Sequence, residues 1–160
     1  MAYFDPSLED ESFAATAFRL AQEANAAEPR LLAIGEQRAA EPRAPGKWSR
    51  KQILGQLIDS AANNHQRFVR AQDGPALHLP GYAQEHWVAS QHYNQRSWEQ
   101  LIALWCAYNR HVAHVIAHIP ERLRSVPCQI GGSESVTLGH IARDYVGHLQ
   151  HHLRQIFDQS

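Results

Sequence analysis

The amino-acid sequence predicts an all-α fold, a four-helix bundle with long connections. Apolar residues recur at intervals of three and four over long stretches, which is the spacing that gathers them on one face of a helix. Segments containing proline and glycine separate these stretches, and no stretch indicates a convincing strand, an internal repeat or a sustained heptad. The predicted helices cover residues 10–40, 49–72, 97–119 and 137–158.

Length and composition are those of one globular domain, residues 1–160, with 44% apolar and 19% charged residues. The formal net charge of -1 leaves no basic surface, so we expect neither nucleic acid nor an anionic membrane as partner. The two cysteines form no CxxC pair, and the acidic start of the chain lacks the order of a signal peptide. No apolar run is long enough to cross a bilayer. These features favour a cytoplasmic protein.

Local signals mark the ends of the first two helices. Glu28 and Pro29 are expected to interrupt the first, because proline lacks an amide N–H and disfavours helix in the residue before it. This leaves either one kinked helix or two. Ser49 is a natural N-cap for the second helix, which the Asp-Gly-Pro sequence at residues 73–75 ends.

The third helix has the most regular apolar stripe in the chain. The stripe consists of Trp98, Leu101, Trp105, Tyr108, Val112, Val115 and Ile119. Pro120 ends this helix, and residues 125–130 could add a short extended piece before Thr137 caps the last helix.

Two histidines of the last helix, His148 and His152, are candidate metal ligands. Their spacing of four places them one above the other on one helix face, beside the apolar stripe, where they can share one metal ion. The alternative is that they are boundary residues without a ligand. His111, His114 and His118 form a rival set on the third helix. They lie opposite its stripe, which favours a solvated face or the contact of a homodimer.

The connection over residues 73–95 is rich in aromatic residues and histidine. Connections of this length in small domains are typical of binding loops or carry a short helix. We predict that Tyr82, His86 and Trp87, which combine apolar bodies with polar tips, line a substrate pocket together with Trp48. The alternative is a loop that its aromatic residues hold against the bundle.

A series of short motifs resembles the DinB/YfiT-like superfamily of bacterial four-helix-bundle proteins. The motifs are Trp48-Ser49, the run Leu-Gly-Gln-Leu-Ile-Asp-Ser-Ala at residues 54–61, Arg67-Phe68, and Asp144-Tyr145 followed by His148 and His152. The resemblance covers residues 48–157 and, more loosely, the first helix. No single motif is specific, and the combination carries the resemblance.

The resemblance implies a zinc or nickel site held by three histidines, one from the second long helix and two from the last. The last two correspond to His148 and His152, and the first corresponds to Gln56. Glutamine in this position departs from the pattern. Because an amide is a much weaker ligand than imidazole for zinc or nickel, we expect the divalent metal to be held weakly.

The activities that the resemblance implies are metal-dependent hydrolysis and thiol-dependent transfer on an unknown small molecule. Two alternatives remain open on the sequence: a metal-free binding module that keeps the pocket, and a structural or homodimeric role. The cysteines do not indicate a nucleophile, because Cys106 is expected to be buried and Cys128 has no evident base partner.

Overall fold

The computed structural model describes residue 3 and residues 5–158. Its four long helices are α1 (Phe13–Leu32), α3 (Arg50–Arg70), α5 (Trp98–Ala117) and α6 (Leu138–Phe157), with the short helices α2 (Glu36–Ala40) and α4 (Gln84–Ser90) in the connections. Helix α1 packs against α5 and α6, and α3 packs against the same two helices. This confirms the predicted helical bundle. No helix in the described part of the chain has the length and apolar character to span a membrane.

A small sheet makes the all-α prediction approximate. Its strands are β1 (Leu77–Leu79), β2 (Pro127–Ile130) and β3 (Val136–Thr137), with β1 parallel to β2 and β2 antiparallel to β3. The absence of convincing strands was therefore a wrong prediction, although the extended piece expected at residues 125–130 is β2. Strands this short cannot display alternation, and their pairing joins segments that are distant in sequence. The sheet leads directly into α6.

The interruption expected at Pro29 is also corrected. Helix α1 continues through Pro29 to Leu32, and the chain breaks only afterwards, before α2. Pro29 lies in the last turn of α1, where its missing N–H removes one helical hydrogen bond, and tertiary contacts offset this cost. Leu31 is fully buried, and its carbonyl accepts the indole N–H of Trp98 at 2.9 Å. This tertiary anchor holds the last turn helical.

Side-chain caps begin the long helices where the sequence predicts them. Ser49 and Gln52 form a reciprocal capping box at the start of α3. Ser97 caps α5, and Thr137 caps α6. Each cap satisfies an amide N–H that has no partner inside the helix, so these helices begin within a residue or two of the predicted starts.

A buried lysine joins α2, α3 and α5 next to the α3 capping box. The Nζ of Lys51 forms an ion pair with Glu36 and donates to the carbonyl of Arg96 at 2.6 Å. The other carboxylate oxygen of Glu36 accepts the backbone N–H of Trp98 at 2.7 Å, at the first turn of α5. The start of α3 is thereby positioned relative to the start of α5.

Helix α3 is buried on every side over residues 53–61. Three polar side chains of this stretch, Gln56, Asp59 and Ser60, are therefore enclosed and must find polar partners within the fold. Their partners define the site described next.

Candidate metal and ligand site between α3 and α6

The structure brings Gln56 of α3 against His148 of α6. The amide Nε2 of Gln56 lies 3.3 Å from Nε2 of His148 and donates to Oε1 of Gln84, on α4, at 3.2 Å. The rings of His148 and His152 are 4.5 Å apart between centroids, in an edge-to-face arrangement. The three side chains to which the resemblance assigns a metal thus lie at one point of the α3–α6 interface.

Two buried atoms at this point have no hydrogen-bond partner among the described residues, Oε1 of Gln56 and Nδ1 of His148. If the side-chain amide of Gln56 is rotated by a half-turn, its oxygen and nitrogen exchange places, and Oε1 then faces the imidazole of His148. Buried polar atoms without partners are uncommon in folded proteins, and an ion, a ligand or a water molecule usually explains them. Each of these two atoms therefore remains available to a water molecule, an ion or a ligand.

His152 is held by a short chain of side chains on its own helix. Its Nδ1 is 2.8 Å from Oε1 of Gln155, whose Nε2 is 3.1 Å from Nε2 of His151. With the proton on Nδ1, the lone pair of His152 lies on Nε2. Metal-binding histidines are commonly oriented by such a bond to the ring nitrogen that does not bind the metal.

Both imidazoles are neutral at pH 7. Burial, with smaller contributions from His152 and His151, lowers the pKa of His148 to about 3. Burial also lowers the pKa of His152; the neighbouring His151 lowers it further, and the bond to Gln155 opposes the shift. A neutral imidazole is the form that offers a lone pair to a metal or a hydrogen-bond donor.

This pKa shift predicts how stability depends on pH. Below pH 6.5 the unfolded chain takes up a proton at His148, whereas the folded chain does so only near pH 3. The free energy of unfolding should therefore fall as the pH drops through this interval, by up to about 1.4 kcal/mol per pH unit. Urea titrations should show a shallower fall for His148→Gln than for the parent. His114→Gln, at an exposed position, should keep the parent's slope. Equal slopes in all three proteins would contradict the burial of a neutral His148.

The segment at residue 3 covers the histidines from outside. The ring of Tyr3 lies 5.1 Å from that of His148 and 5.0 Å from that of His151, and its backbone N–H donates to Oδ1 of Asp144 at 2.7 Å. Gly147 permits this approach, because a Cβ at this position would overlap the carbonyl oxygen of Tyr3. The absence of a side chain on α6 thus allows the chain to lie across the imidazoles.

Gly147→Ala is expected to displace Tyr3 without loss of the bundle. Alanine favours the helix by about 1 kcal/mol over glycine, but its methyl group excludes the Tyr3 carbonyl. Modification of histidine by diethylpyrocarbonate, mapped by mass spectrometry, should be faster at His148 and His152. Tyr3→Ala should reproduce the increase. Unchanged reactivity with an unchanged thermal midpoint would show that Tyr3 does not shield the imidazoles.

A cavity of about 470 Å³ opens beside His148. Its polar lining comes from the segment at residue 3, from α3, from residue 82 and the first residue of α4, and from α6. The lining residues with polar side chains are Tyr3, Ser60, Asn64, Arg67, Tyr82, Gln84, His140, Asp144, Tyr145 and His148. The volume is in the range of small-molecule sites.

The predicted pocket residues are divided between different places. Tyr82 lines the cavity beside His148. The ring of Trp87 packs against that of Tyr82, with 5.2 Å between the ring centroids. Trp48 lines a separate cavity of about 630 Å³ that also borders Gln155. His86 is exposed and lines neither cavity.

The sequence places Ser60 on the same helix face as Gln56, but sequence reasoning missed the polar wall that Asn64 and Arg67 form with it. With Gln56, these three residues follow one another at intervals of four, four and three along α3, which places them on one helix face. That spacing was the available signal. Asp59 does not line this cavity. Its Oδ1 accepts one hydrogen bond from the hydroxyl of Tyr93 at 2.6 Å and another from Nε2 of Gln91 at 2.7 Å.

The other candidate groups lie elsewhere. His111, His114 and His118 are exposed on α5, with the rings of His114 and His118 4.3 Å apart. Cys106 and Cys128 are free and buried, and burial raises the pKa of each thiol to about 11. Neither cysteine provides a thiolate at neutral pH.

The site residues fit a divalent metal ion that is held weakly. Two neutral imidazoles and a buried amide oxygen are acceptable donors, and Gln155 orients His152. The amide is a weak ligand, and Nδ1 of His148 lacks the orienting bond that His152 has. In the portion of the chain that is described, no group of three or more histidine, cysteine, aspartate or glutamate side chains could hold a metal. A metal site at this position therefore requires the amide of Gln56 as its third protein ligand.

Fold and site together define a four-helix-bundle protein in which paired imidazoles of the last helix face a polar side chain of the second long helix. The sequence profile of the DinB superfamily matches residues 19–156. The chain belongs to this superfamily, which confirms the resemblance seen in the sequence motifs. No curated protein matches the chain significantly.

A solved structure shares the fold. YfiT from Bacillus subtilis superposes with a TM-score of 0.79 over 95% of this chain and 87% of its own, at 18% sequence identity. That protein is described as a probable metal-dependent hydrolase with an unusual four-helix bundle topology. At 18% sequence identity, the structural similarity to YfiT establishes that the two proteins share a fold.

Proposed function

We propose that the protein is a hydrolase of a small molecule that works with a weakly held divalent metal ion, zinc or nickel. His148, His152 and the amide oxygen of Gln56 would hold the metal. The observation that carries the proposal is the buried, unpartnered Oε1 of Gln56, on an amide whose nitrogen lies 3.3 Å from Nε2 of His148. The description of YfiT as a probable metal-dependent hydrolase supports the same class of reaction.

A bound divalent metal supplies a water molecule of lowered pKa, which is a nucleophile at neutral pH. The protein's own residues prepare the site. Gln155 fixes the ring of His152. Tyr3 covers the imidazoles and limits the access of bulk water. The cavity beside His148 receives the substrate.

A thiol-dependent transfer reaction would have to use a thiol from outside the chain. Both cysteines are buried, and burial raises the pKa of each thiol to about 11. Transfer to a thiol co-substrate is therefore a variant of the same proposal, in which the cavity holds two small molecules.

Metal titration of the purified protein tests the proposal. Calorimetry with zinc and with nickel should show one equivalent bound by the parent and none by the His148→Ala/His152→Ala double variant. The matched control is His114→Ala/His118→Ala, which removes two exposed histidines with the same spacing on α5 and should bind like the parent. Equal binding by the His148/His152 double variant would overturn the proposed site.

A second candidate function is metal-free binding of a small molecule in the same cavity. The contacts of the Gln56 amide nitrogen favour it, because this nitrogen donates to Gln84 and already engages the imidazole nitrogen that a metal would need. On this alternative the parent binds neither zinc nor nickel, and the imidazole pair belongs to a polar wall that contacts the ligand directly.

A further inference from the structure

Arg67 is a cation on the wall of the cavity with no ion-pair partner within the described residues. Its Nη1 donates to Oδ1 of Asn64 at 3.3 Å. A guanidinium carries five N–H donors, so this bond leaves most of its donor capacity unused. Burial lowers the pKa of Arg67, and only weaker interactions with Tyr82, Asp144 and Cys128 oppose the shift. A half-buried arginine without a carboxylate against it is costly unless a ligand compensates.

Asn64 orients the guanidinium. Asn64 is buried, and its Nδ2 donates to the carbonyl of Ser60 at 2.9 Å and to Oγ of Ser60 at 3.3 Å. These bonds leave Oδ1 of Asn64 directed at Arg67. Because Ser60, Asn64 and Arg67 share one face of α3, the helix backbone sets the position of the arginine. The cation therefore lies on a rigid element and not on a loop.

The acidic group that faces the cavity is already engaged. Oδ1 of Asp144 accepts the backbone N–H of Tyr3 at 2.7 Å, and Asp144 does not reach ion-pair distance of Arg67. Tyr82 lines the same wall and can donate from its hydroxyl. Since burial raises the pKa of Tyr82, this hydroxyl keeps its proton at neutral pH. Arg67 thus presents N–H donors to the cavity, and the neutral side chain of Tyr82 adds no negative charge beside it.

We propose that the cavity binds its substrate through an anionic group, a carboxylate or a phosphate, that Arg67 receives. The remainder of the substrate extends toward His148, which lines the same cavity. Guanidinium groups match the planar, two-oxygen edge of both anions, so Arg67 defines the class of substrate as an acid or a phosphate ester. This inference rests on the proposed function for the location of the reacting centre and adds the chemistry of substrate recognition.

Binding of simple anions tests the inference without knowledge of the substrate. Inorganic phosphate, acetate and succinate are titrated at constant ionic strength. The side-chain Nε–Hε signal of Arg67 is followed by NMR, and the thermal midpoint is recorded in parallel. In the parent, at least one anion should shift this signal and raise the midpoint. Arg67→Gln should bind the same anion at least ten-fold more weakly. Arg67→Lys keeps the charge without the planar fork, and should lie in between.

Arg70→Gln is the matched control, because Arg70 is an exposed arginine of the same helix whose Nε contacts Gln66. It should bind anions like the parent. Comparison of phosphate with the carboxylates identifies which anion the substrate carries. The inference is overturned if no anion perturbs Arg67, or if Arg67→Gln and Arg70→Gln bind equally well.

Metal titration of the same variants separates the inference from the proposed function. If Arg67→Gln binds zinc like the parent but loses the anion, the two sites are distinct and both ideas stand. If the parent binds the anion at Arg67 but no metal, the metal-dependent function fails and the anion subsite stands. If the parent binds metal but no anion perturbs Arg67, the metal-dependent function stands and the anion subsite fails.

Discussion

Gln56→His is expected to raise the affinity for zinc and nickel roughly a hundred-fold, which is about 2.8 kcal/mol of binding free energy. The variant replaces a weak amide ligand with an imidazole at a position that already lies 3.3 Å from Nε2 of His148. Calorimetric titration of the parent and the variant with each metal measures the change. The same substitution separates the two candidate functions, since the parent binds metal weakly under the first and not at all under the second.

Gln66→His is the control for this experiment. Gln66 is exposed on the same helix, so the substitution adds an imidazole to α3 without placing it near α6. It should bind metal like the parent. If Gln56→His binds no better than Gln66→His, the three side chains do not converge on one ion. If the parent already binds as tightly as Gln56→His, the amide of Gln56 is a sufficient ligand and the site is not weakened.

Lys51→Ala is expected to lower the free energy of unfolding by about 3 kcal/mol. The substitution removes a fully buried side chain and leaves a cavity, and it deprives the Arg96 carbonyl of its donor. Chemical denaturation followed by circular dichroism measures the loss. Because Lys51 precedes Gln56 on the same helix, a partial shift of α3 should also weaken metal binding in any variant that still folds.

Two comparisons identify the source of the Lys51 effect. Lys47→Ala removes an exposed lysine nearby and should change stability by less than about 0.5 kcal/mol. Glu36→Gln removes the charged partner of Lys51 but keeps the size of the Glu36 side chain, which is 59% exposed, so it should cost less than Lys51→Ala. A loss for Glu36→Gln as large as that for Lys51→Ala would mean that the ion pair dominates and not the buried carbonyl contact.

The helices were predictable because their signals are local. The apolar intervals of α3, α5 and α6 and the caps at Ser49, Ser97 and Thr137 all act within one or two helical turns. Pro29 shows the limit of a local rule. Proline predicts a break, yet the last turn of α1 stays helical because Leu31 is buried and its carbonyl is bonded to Trp98.

The candidate site was predictable only in part. The spacing of His148 and His152 places both on one face of α6, and the family motifs align Gln56 with them. The cavity wall beyond Ser60 was missed, although Asn64 and Arg67 follow Gln56 and Ser60 at helical intervals, because polar residues on a helix are more often solvated than enclosed. The association of Trp48 with Tyr82 was also assumed from residue type alone, and the two residues line different cavities.

By itself, the sequence determined the four long helices, the family and the pair of imidazoles on α6. The tertiary structure alone decided that Gln84 contacts the amide of Gln56, that β1 pairs with β2, and that Tyr3 lies over the histidines. The physical reason is the range of the interactions. Helix spacing and caps are set by neighbours within a few residues. The tertiary contacts depend on how whole helices pack, and Gln56 and His148, for example, are 92 positions apart.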